Sequence, residues 1–366
     1  MKKLIIRSFH YDVLKNFMIS LLTLGIIVWV IQAINYLDFI SEDGHGFSVY
    51  LNYTILNFPK IINRLIPFVF FISLFFTILI YENKNELYIF WANGISKNYF
   101  LRQLLNLAIF LVVVQLLISS LIVPNSLFKS RSFLKDSNID FFSSLIKPGK
   151  FLNFANGLTI FINDEVKKGI YKDIFFDDTR NASRMIYAKK GYFSNLDKNK
   201  NFTLIDGRVI NNENSKIRVF NFDKIIIDLT EINSNTIIEP KVQEISSMIL
   251  LKCAFDKKIN REDFFCDNNL KPKINQELFK RLLKPFYIFL IPLICGILII
   301  KSKNDTRFKF NRSLSFAFGF LTLLFSEASV RYISYSNIFL NVLSILVPVI
   351  IFVTTLIILL KKFKYV

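Results

Sequence analysis

Residues 103–128 read QLLNLAIFLVVVQLLISSLIVPNSLF and contain no charged side chain. A helix rises about 1.5 Å per residue, so roughly 20 apolar residues cross the hydrocarbon core of a bilayer. Uncharged runs of this length are rare in soluble domains. The run therefore predicts a membrane-spanning helix rather than a buried helix of a large soluble protein.

Five more hydrophobic segments accompany this run. The six segments are divided three and three by a mostly polar insert. The six lie between Lys15 and Asp38, between Arg64 and Glu82, from Arg102 to about Leu127, from about Pro285 to Lys301, from Arg312 to about Val330, and from about Tyr332 to Leu360. The second and fourth need flanking residues to complete a crossing. The pattern predicts membrane segments in 1–128 and 276–366 around an inserted domain, 129–275.

The formal net charge of +18 could suggest a nucleic-acid partner. The Lys excess accompanies many Asn, Ile and Phe residues, a bias typical of an AT-rich genome. The basic residues also concentrate in the termini and in the loops after segments two and four, whereas the opposite short segments carry only Lys60, Arg64 and Arg331. Because positive residues stay in the cytoplasm, both termini are predicted to be cytoplasmic and the insert outside.

The first apolar run is too long for a cleavable signal peptide and lacks a small-residue cleavage site. We therefore expect a transmembrane helix, preceded by an interfacial amphipathic stretch, Leu4–Leu14.

The insert alternates short β-rich runs with turn signals, a texture that predicts an all-β sandwich or open barrel. The expected strands are 158–163, 174–177, 185–188, 192–194, 202–205, 208–210, 217–222 and 225–229. The turn signals between them are 156–157, 168–169, 178–181, 197–199, 206–207 and 211–214. Residues 246–255 have a helical pattern instead.

No catalytic constellation is evident. Gly149-Lys150 is followed by Phe151 and lacks the upstream glycine spacing of a phosphate-binding loop, so the chain is not expected to hydrolyse ATP. His10 and His45 are predicted on opposite membrane faces and cannot share a metal. No cofactor is expected.

The cysteines leave one question open. Cys253 and Cys266 stand thirteen residues apart in the part predicted to face an oxidising compartment, where a disulfide is possible but not dictated by spacing. Cys295 is expected to contribute only to helix packing.

The loop NELYIFWANGIS, residues 85–96, is the most specific segment. One face at helical spacing is apolar: Leu87, Phe90 and Trp91. Asn93-Gly94 is predicted to end this helix, and Ser96 to cap the next one. The residues alone allow either a helix lying on lipid headgroups or a coupling helix that docks into a soluble motor subunit.

This loop resembles the Ser-Glu-Leu…Met-Arg-Ala-Cys/Ala-Gly-Ile-Ser signature of the LptF/LptG (YjgP/YjgQ) permeases of lipopolysaccharide export. Weaker similarities follow in the family's order over nearly the whole chain: Leu65–Pro67, Pro148–Phe151, Gly157–Thr159, Ile186–Gly191, Leu204–Gly207 and Glu277–Leu282. The resemblance implies an α-helical membrane protein with six transmembrane helices, three plus three, and an inserted all-β, jellyroll-like periplasmic domain. Chain length and residues 37–40 lean slightly toward LptF.

The resemblance also implies a role. Such a chain would be the permease subunit of an ABC transporter in the bacterial inner membrane. It would pair with a paralogous permease on an LptB-like ATPase dimer that uses the ATP. Lipopolysaccharide would pass through the jellyrolls to a periplasmic bridge of LptC/LptA-like proteins. Five residues would form the ATPase-coupling site: Glu86, Leu87, Phe90, Trp91 and Gly94.

The lipid contact departs from the family pattern, because the outer end of the first helix carries Gln32, Asn35 and Asp38 where members often carry basic residues. Other outside basic residues could meet lipid phosphates instead: Lys60, Arg64, Lys280, Arg281, Lys284 and Arg331. The alternative for each is a snorkelling interfacial residue. Glu327 and Arg331, four residues apart, have the spacing of an ion pair.

Two other functions fit the residues alone. One is an ABC-type permease for another lipid or envelope component. The other is a non-transporting membrane scaffold or sensor, although a sensor usually needs a cytoplasmic output domain and these loops are too short to hold one. Co-purification with an ATPase would favour a permease, and bound lipid A would select lipopolysaccharide export.

Overall fold

The structure is a computed structural model that describes residues 2–37, 47–133, 149–155, 158–167, 170–178, 183–196, 199–213, 216–228, 241–255, 260–261, 264–266, 270–333 and 338–364. Asp38, His45, Pro148, Gly157 and the predicted turn residues 156, 168–169, 179–181, 197–198 and 214 lie outside this description. The chain divides into two compact units. One comprises residues 1–32, 56–129 and 241–366, and the other residues 33–55 and 130–240.

Six helices of the described chain are long and apolar enough to cross a membrane, which confirms the predicted arrangement. In chain order the helices are α1 (Lys2–Asn35), α2 (Phe47–Asn83), the short α3 (Glu86–Ala92), α4 (Lys97–Phe133), the short α5 (Ser247–Phe255), α6 (Lys271–Ile299), α7 (Phe308–Tyr332) and α8 (Ile338–Lys364). Below, the end of the six-helix set nearest both termini is called the terminal end, and the opposite end the insert end.

The spanning helices are longer than the uncharged runs indicated. Residues Leu4–Leu14, expected as a separate interfacial stretch, belong to the continuous helix α1. Likewise α2 begins at Phe47 and contains Pro59 and Pro67. Charged residues near the ends of a helix do not interrupt it, because its backbone hydrogen bonds remain internal and the long side chains reach polar surroundings.

Two π-helical turns adjoin each other in this bundle. They occupy Ile118–Ile122 in α4 and Phe279–Leu283 in α6. The Ser119 hydroxyl in the first turn donates to the carbonyl of Arg281 in the second, at 2.9 Å. A widened turn can leave backbone carbonyls without their usual helical donors. The Ser119 hydroxyl supplies a donor to the carbonyl of Arg281.

The inserted β-domain is confirmed. Its described strands are β1 (Phe151–Ala155), β2 (Leu158–Lys167), β3 (Ile170–Asp178), β4 (Ser183–Leu196), β5 (Asn199–Glu213) and β6 (Lys216–Asp228), with a two-stranded ribbon of β7 (Asn260–Arg261) and β8 (Phe264–Phe265). The first six form one antiparallel sheet in sequence order. One side is a buried apolar core that includes Ile160, Ile174, Phe176, Ile186 and Leu204.

Several predicted strands merge into longer ones, so the predicted strand boundaries were wrong. Segments 185–188 and 192–194 both belong to β4, and 202–205 and 208–210 both belong to β5. Asp206-Gly207, predicted as a turn, lies inside β5. Asp206 does adopt a left-handed φ of 53°, as a turn residue would, but the strand continues beyond it.

A crease crosses the sheet at this position. Asp173 in β3 also has a left-handed φ, 51°. Such a residue shifts the inward–outward alternation of the strand by one position. Tyr171 and Ile174 are therefore both buried in the same core although they stand three residues apart.

The helical prediction for 246–255 is confirmed as α5. The question left open by the cysteine spacing is answered by a disulfide between Cys253 and Cys266, whose Cα atoms are 6.0 Å apart. Cys295 is free and buried, as expected of a packing residue. Closing this loop restricts the unfolded chain and holds α5 near the start of α6.

Gly319 in α7 provides a test of bundle packing. A Cβ added there would overlap the buried ring of Phe71 in α2. Because overpacked cores lose about 1–3 kcal/mol, Gly319→Ala is expected to lower the thermal unfolding midpoint of the purified protein. Leu321→Ala, at an exposed position of the same helix, is the control and should change the midpoint little. Equal midpoints for both variants would contradict this packing.

Candidate functional site

The short helix α3 has defined ends. Asn85 precedes it with a left-handed φ of 60°, and Gly94 follows it with a φ of 72°. The Ser96 hydroxyl accepts a hydrogen bond from the Tyr99 amide at 3.3 Å, which caps α4. The predicted helix end and cap are both confirmed. The helix is thus held at a fixed angle between the spanning helices α2 and α4.

One face of α3 is anchored in the protein. Leu87 is 1% exposed and Phe90 4%. The Phe90 ring makes edge-to-face contacts with one ring from each of α1, α2 and α4, at centroid distances of 6.3, 6.0 and 5.7 Å: Phe9, Tyr81 and Phe100. Trp91, half-buried, meets Phe100 at 5.8 Å. The apolar stripe found by sequence reasoning therefore faces the bundle.

The opposite face of α3 presents two large apolar side chains outward. Tyr88 is 72% exposed and Ile89 53%, and the carboxyl-bearing Glu86 lies between the two faces. Sequence reasoning missed Tyr88 and Ile89 because it looked for one apolar stripe and assigned it to a partner. The signal was present: besides Trp91, five of the other six helix residues are apolar or aromatic, more than one buried face requires.

The loop between α6 and α7 is tied to the end of α2, just before α3. The Glu82 carboxylate accepts from the Lys303 amide at 2.7 Å, and the Lys303 ammonium donates to the carbonyl of Asn83 at 2.9 Å. Within the loop, Lys301 pairs with Asp305 at 2.7 Å. The hydrogen bond from Lys301, followed by that from the Arg307 amide, holds the pKa of Asp305 below its usual value. The two halves of the bundle are therefore in contact next to the start of α3.

At the insert end, Arg281 occupies a closed polar site. Its guanidinium is 1% exposed. Nε donates to Glu277 at 2.9 Å, and the other nitrogens donate to the carbonyls of Ile245 and Gln243, at 2.8 and 2.9 Å, and to the Ser247 hydroxyl at 3.1 Å. Arg281, singled out in the sequence as a phosphate contact, is thus occupied by partners within the chain.

The other basic residues of this end differ in accessibility. Arg64 and Arg331 are exposed, Lys280 is about one-third exposed and contacts Glu277 at 3.3 Å, and Lys60 donates to Gln243 at 3.2 Å while remaining exposed. Lys284 is buried and pairs with Glu327. The expected pairing of Glu327 with Arg331 is therefore corrected: the carboxylate reaches across to α6 rather than along its own helix.

A comparison with protein families agrees with this plan. The family described as lipopolysaccharide export system permease LptF/LptG matches residues 9–362. The chain belongs to the LptF/LptG family. It is also similar to an uncharacterized protein of Rickettsia prowazekii (strain Madrid E), with 23% identity over 88% of each chain. Membership makes the chain a multi-pass membrane permease component of lipopolysaccharide export rather than an enzyme. The match does not separate LptF from LptG.

In this LptF/LptG-family chain, Arg281 and its neighbour Lys280 form a matched pair, because both contact Glu277. Arg281→Met leaves a buried carboxylate and two carbonyls without their strongest donor. Loss of one partner of a buried ion pair costs about 3–5 kcal/mol, so the variant should unfold at a clearly lower temperature. Lys280→Met, at the accessible partner, should unfold nearly as the wild type. Equal drops in unfolding temperature for Arg281→Met and Lys280→Met would contradict the prediction that the buried residue contributes more to stability.

Proposed function

We propose that this chain is the transmembrane subunit of an ATP-driven transporter. In this proposal it extracts lipopolysaccharide from the bacterial inner membrane and passes it to a periplasmic bridge toward the outer membrane. The observation that carries it is α3: one face is anchored on three spanning helices, and the other presents Tyr88 and Ile89 outward.

The orientation follows from charge. Basic residues concentrate at the terminal end, which we place in the cytoplasm, with the β-domain in the periplasm. This puts α3 on the side where ATP is available. The ATP-hydrolysing subunit would be a separate, LptB-like dimer, since the chain carries no phosphate-binding loop motif.

The five proposed coupling residues would divide into two roles, contact with the partner and anchoring of the helix. Tyr88 and Ile89 supply an exposed apolar pair of the kind that fills a hydrophobic groove, and Glu86 supplies a charge beside them. Leu87, Phe90 and Trp91 fix the helix on the bundle, so a displacement of α3 is passed to the spanning helices. Gly94 provides the left-handed residue that ends it.

The β-domain offers an edge for strand addition. Strand β6 pairs on one side with β5 and is the last strand of the described sheet. Its exposed residues include Ile217, Val219 and Phe220. An exposed apolar edge of this length favours pairing with another β-domain. The paralogous permease or an LptC/LptA-like bridge protein would be the partner.

Lipid phosphates would meet the accessible basic residues of the insert end: Lys60, Arg64, Lys280 and Arg331. Arg281 would take part indirectly, because the Glu277 carboxylate that it holds also contacts Lys280. The two permeases of a heterodimer would enclose the lipid between them.

Glu86→Ala tests the coupling role. The variant should insert and fold normally, because Glu86 is not part of the buried anchor, yet lipid release driven by ATP should fall severalfold. The measurement is release from proteoliposomes that contain the complete transporter. Asn98→Ala, exposed at the start of α4, is the control. Unchanged release in the Glu86 variant would remove this residue from the coupling surface.

Lys60→Ala combined with Lys280→Ala tests the phosphate contact. An accessible ion pair in water contributes about 0–1 kcal/mol, and a contact to a desolvated phosphate contributes more. The double variant should therefore bind lipid roughly tenfold more weakly. Lipid that co-purifies with the complex, quantified by mass spectrometry, provides the readout. The expected loss should be largest at low salt. Undiminished lipid in the double variant would argue against these contacts.

A further inference from the structure

An unbroken row of side chains crosses the outer face of the β-sheet, opposite its apolar core. Directly paired residues on successive strands form it: Phe151, Phe161, Phe175, Tyr187, Arg208 and Asn221. The ring centroids of Phe151 and Phe161 are 4.6 Å apart, and those of Phe175 and Tyr187 4.9 Å. The Arg208 guanidinium lies 5.4 Å from the Tyr187 centroid. This set is called the aromatic row.

A second row runs beside it along the crease. It consists of polar residues only, each two positions along its strand from a member of the aromatic row: Asn163, Asp173, Lys189, Asp206 and Asp223. Lys189 and Asp206 pair at 2.8 Å, and both remain largely exposed. Two residues along a strand separate the rows, which is about 6.5–7 Å. This set is called the polar row.

The polar row and the aromatic row other than Phe151 line one open groove of about 780 Å³, whose wall also includes Ile174, Ala188, Gly207 and Phe222. The core of the sheet lies on the other side and is filled by residues such as Ile160, Ile162 and Ile186, so the sheet does not need the aromatic row for its own core. Exposed aromatic surface beside hydrogen-bonding groups is typical of a binding site. Both rows belong to the β-domain, within one compact unit.

We propose that this groove binds saccharide rings. A pyranose has apolar C–H faces that pack on aromatic rings, and hydroxyl groups around its edge that need hydrogen-bond partners. The aromatic row offers the first surface. The carboxylates, amides and ammonium of the polar row, with Arg208 and Asn221, offer the second. An acyl chain fits less well, because it would lie against at least five charged or amide groups without satisfying them.

Two sources share this chemistry. One is the saccharide portion of the glycolipid cargo, an assignment that rests on the proposed function. The other is a free glycan of the cell envelope. The groove chemistry itself does not depend on which source is correct, so binding and transport can be tested separately.

The test uses the full-length chain in lipid nanodiscs, because sugar-headed detergents would compete for the groove. The probes are the lipid-free core oligosaccharide released from lipopolysaccharide, and lipopolysaccharide with and without core sugars. Tyr187→Leu retains an apolar side chain but removes the aromatic face. Its affinity for the oligosaccharide should fall about tenfold, the order of one lost stacking contact.

A second variant guards against misfolding. Asn221→Ala removes a polar group at an exposed site on β6 and should weaken binding severalfold. Ile226→Ala, at an exposed position of the same strand, does not line the groove and is the matched control. Thermal unfolding of all three variants checks that the β-domain stays folded.

The outcomes separate the hypotheses. Oligosaccharide binding that is lost in Tyr187→Leu but not in Ile226→Ala supports the groove, and a stronger effect with sugar-bearing than sugar-free lipid assigns it to the cargo. No saccharide binding, or binding indifferent to Tyr187 and Asn221, overturns it even where lipid release is normal. A reconstituted transporter that releases no lipopolysaccharide, while the groove still binds the oligosaccharide, overturns the proposed function instead. A peptide that occupies the groove in place of sugar also overturns the inference.

Discussion

The buried guanidinium of Arg281 is the interaction on which the insert end of the bundle depends. A charge in an apolar interior is tolerated only when its donors are matched, and here they meet the carboxylate of Glu277 and two backbone carbonyls. The carbonyls belong to residues 243–245, where the chain returns from the β-domain. The carbonyl of Arg281 itself accepts from Ser119 of α4. One residue thus fixes the return segment, α6 and α4 to each other.

The same constraint acts throughout the spanning helices. Lys284 of α6 pairs with Glu327 of α7, and the Tyr287 hydroxyl donates to the carbonyl of Ser344 in α8 at 2.9 Å. Asn16 of α1 donates to Thr77 of α2 at 3.0 Å. Apolar surface alone gives little preference between neighbouring helices in lipid, whereas each polar pair has one correct partner. These pairs therefore help to select which helices adjoin.

The sequence sufficed where one local property decides the structure. Hydrophobic run length predicted six spans, and Gly94 and Ser96 predicted the end of α3 and the cap of α4. Asp206-Gly207 shows where a local signal is ambiguous. It was predicted as a turn, but the left-handed φ of Asp206 serves a turn or a crease, and only the pairing of β5 with both neighbours decides between them.

Partner choice was beyond local reasoning. Spacing along a helix suggested Arg331 for Glu327, whereas the actual partner, Lys284, is 43 residues away. Likewise, an apolar stripe on a short helix indicates that this face is buried, but it does not indicate whether the face packs on the same chain or on a partner. Leu87 and Phe90 pack on the chain itself. The surface left for a partner carries Tyr88 and Ile89, which were not included in the predicted stripe.

The anchoring of α3 limits how any force applied to it can spread. Phe90 contacts rings from α1, α2 and α4, so α3 cannot tilt without moving the first half of the bundle. Glu82, at the end of α2, accepts from Lys303 and so links the segment just before α3 to the loop that precedes α7, in the second half. Packed interiors shift between discrete arrangements rather than deform gradually. A displacement of α3 would therefore be shared by both halves of the bundle at once.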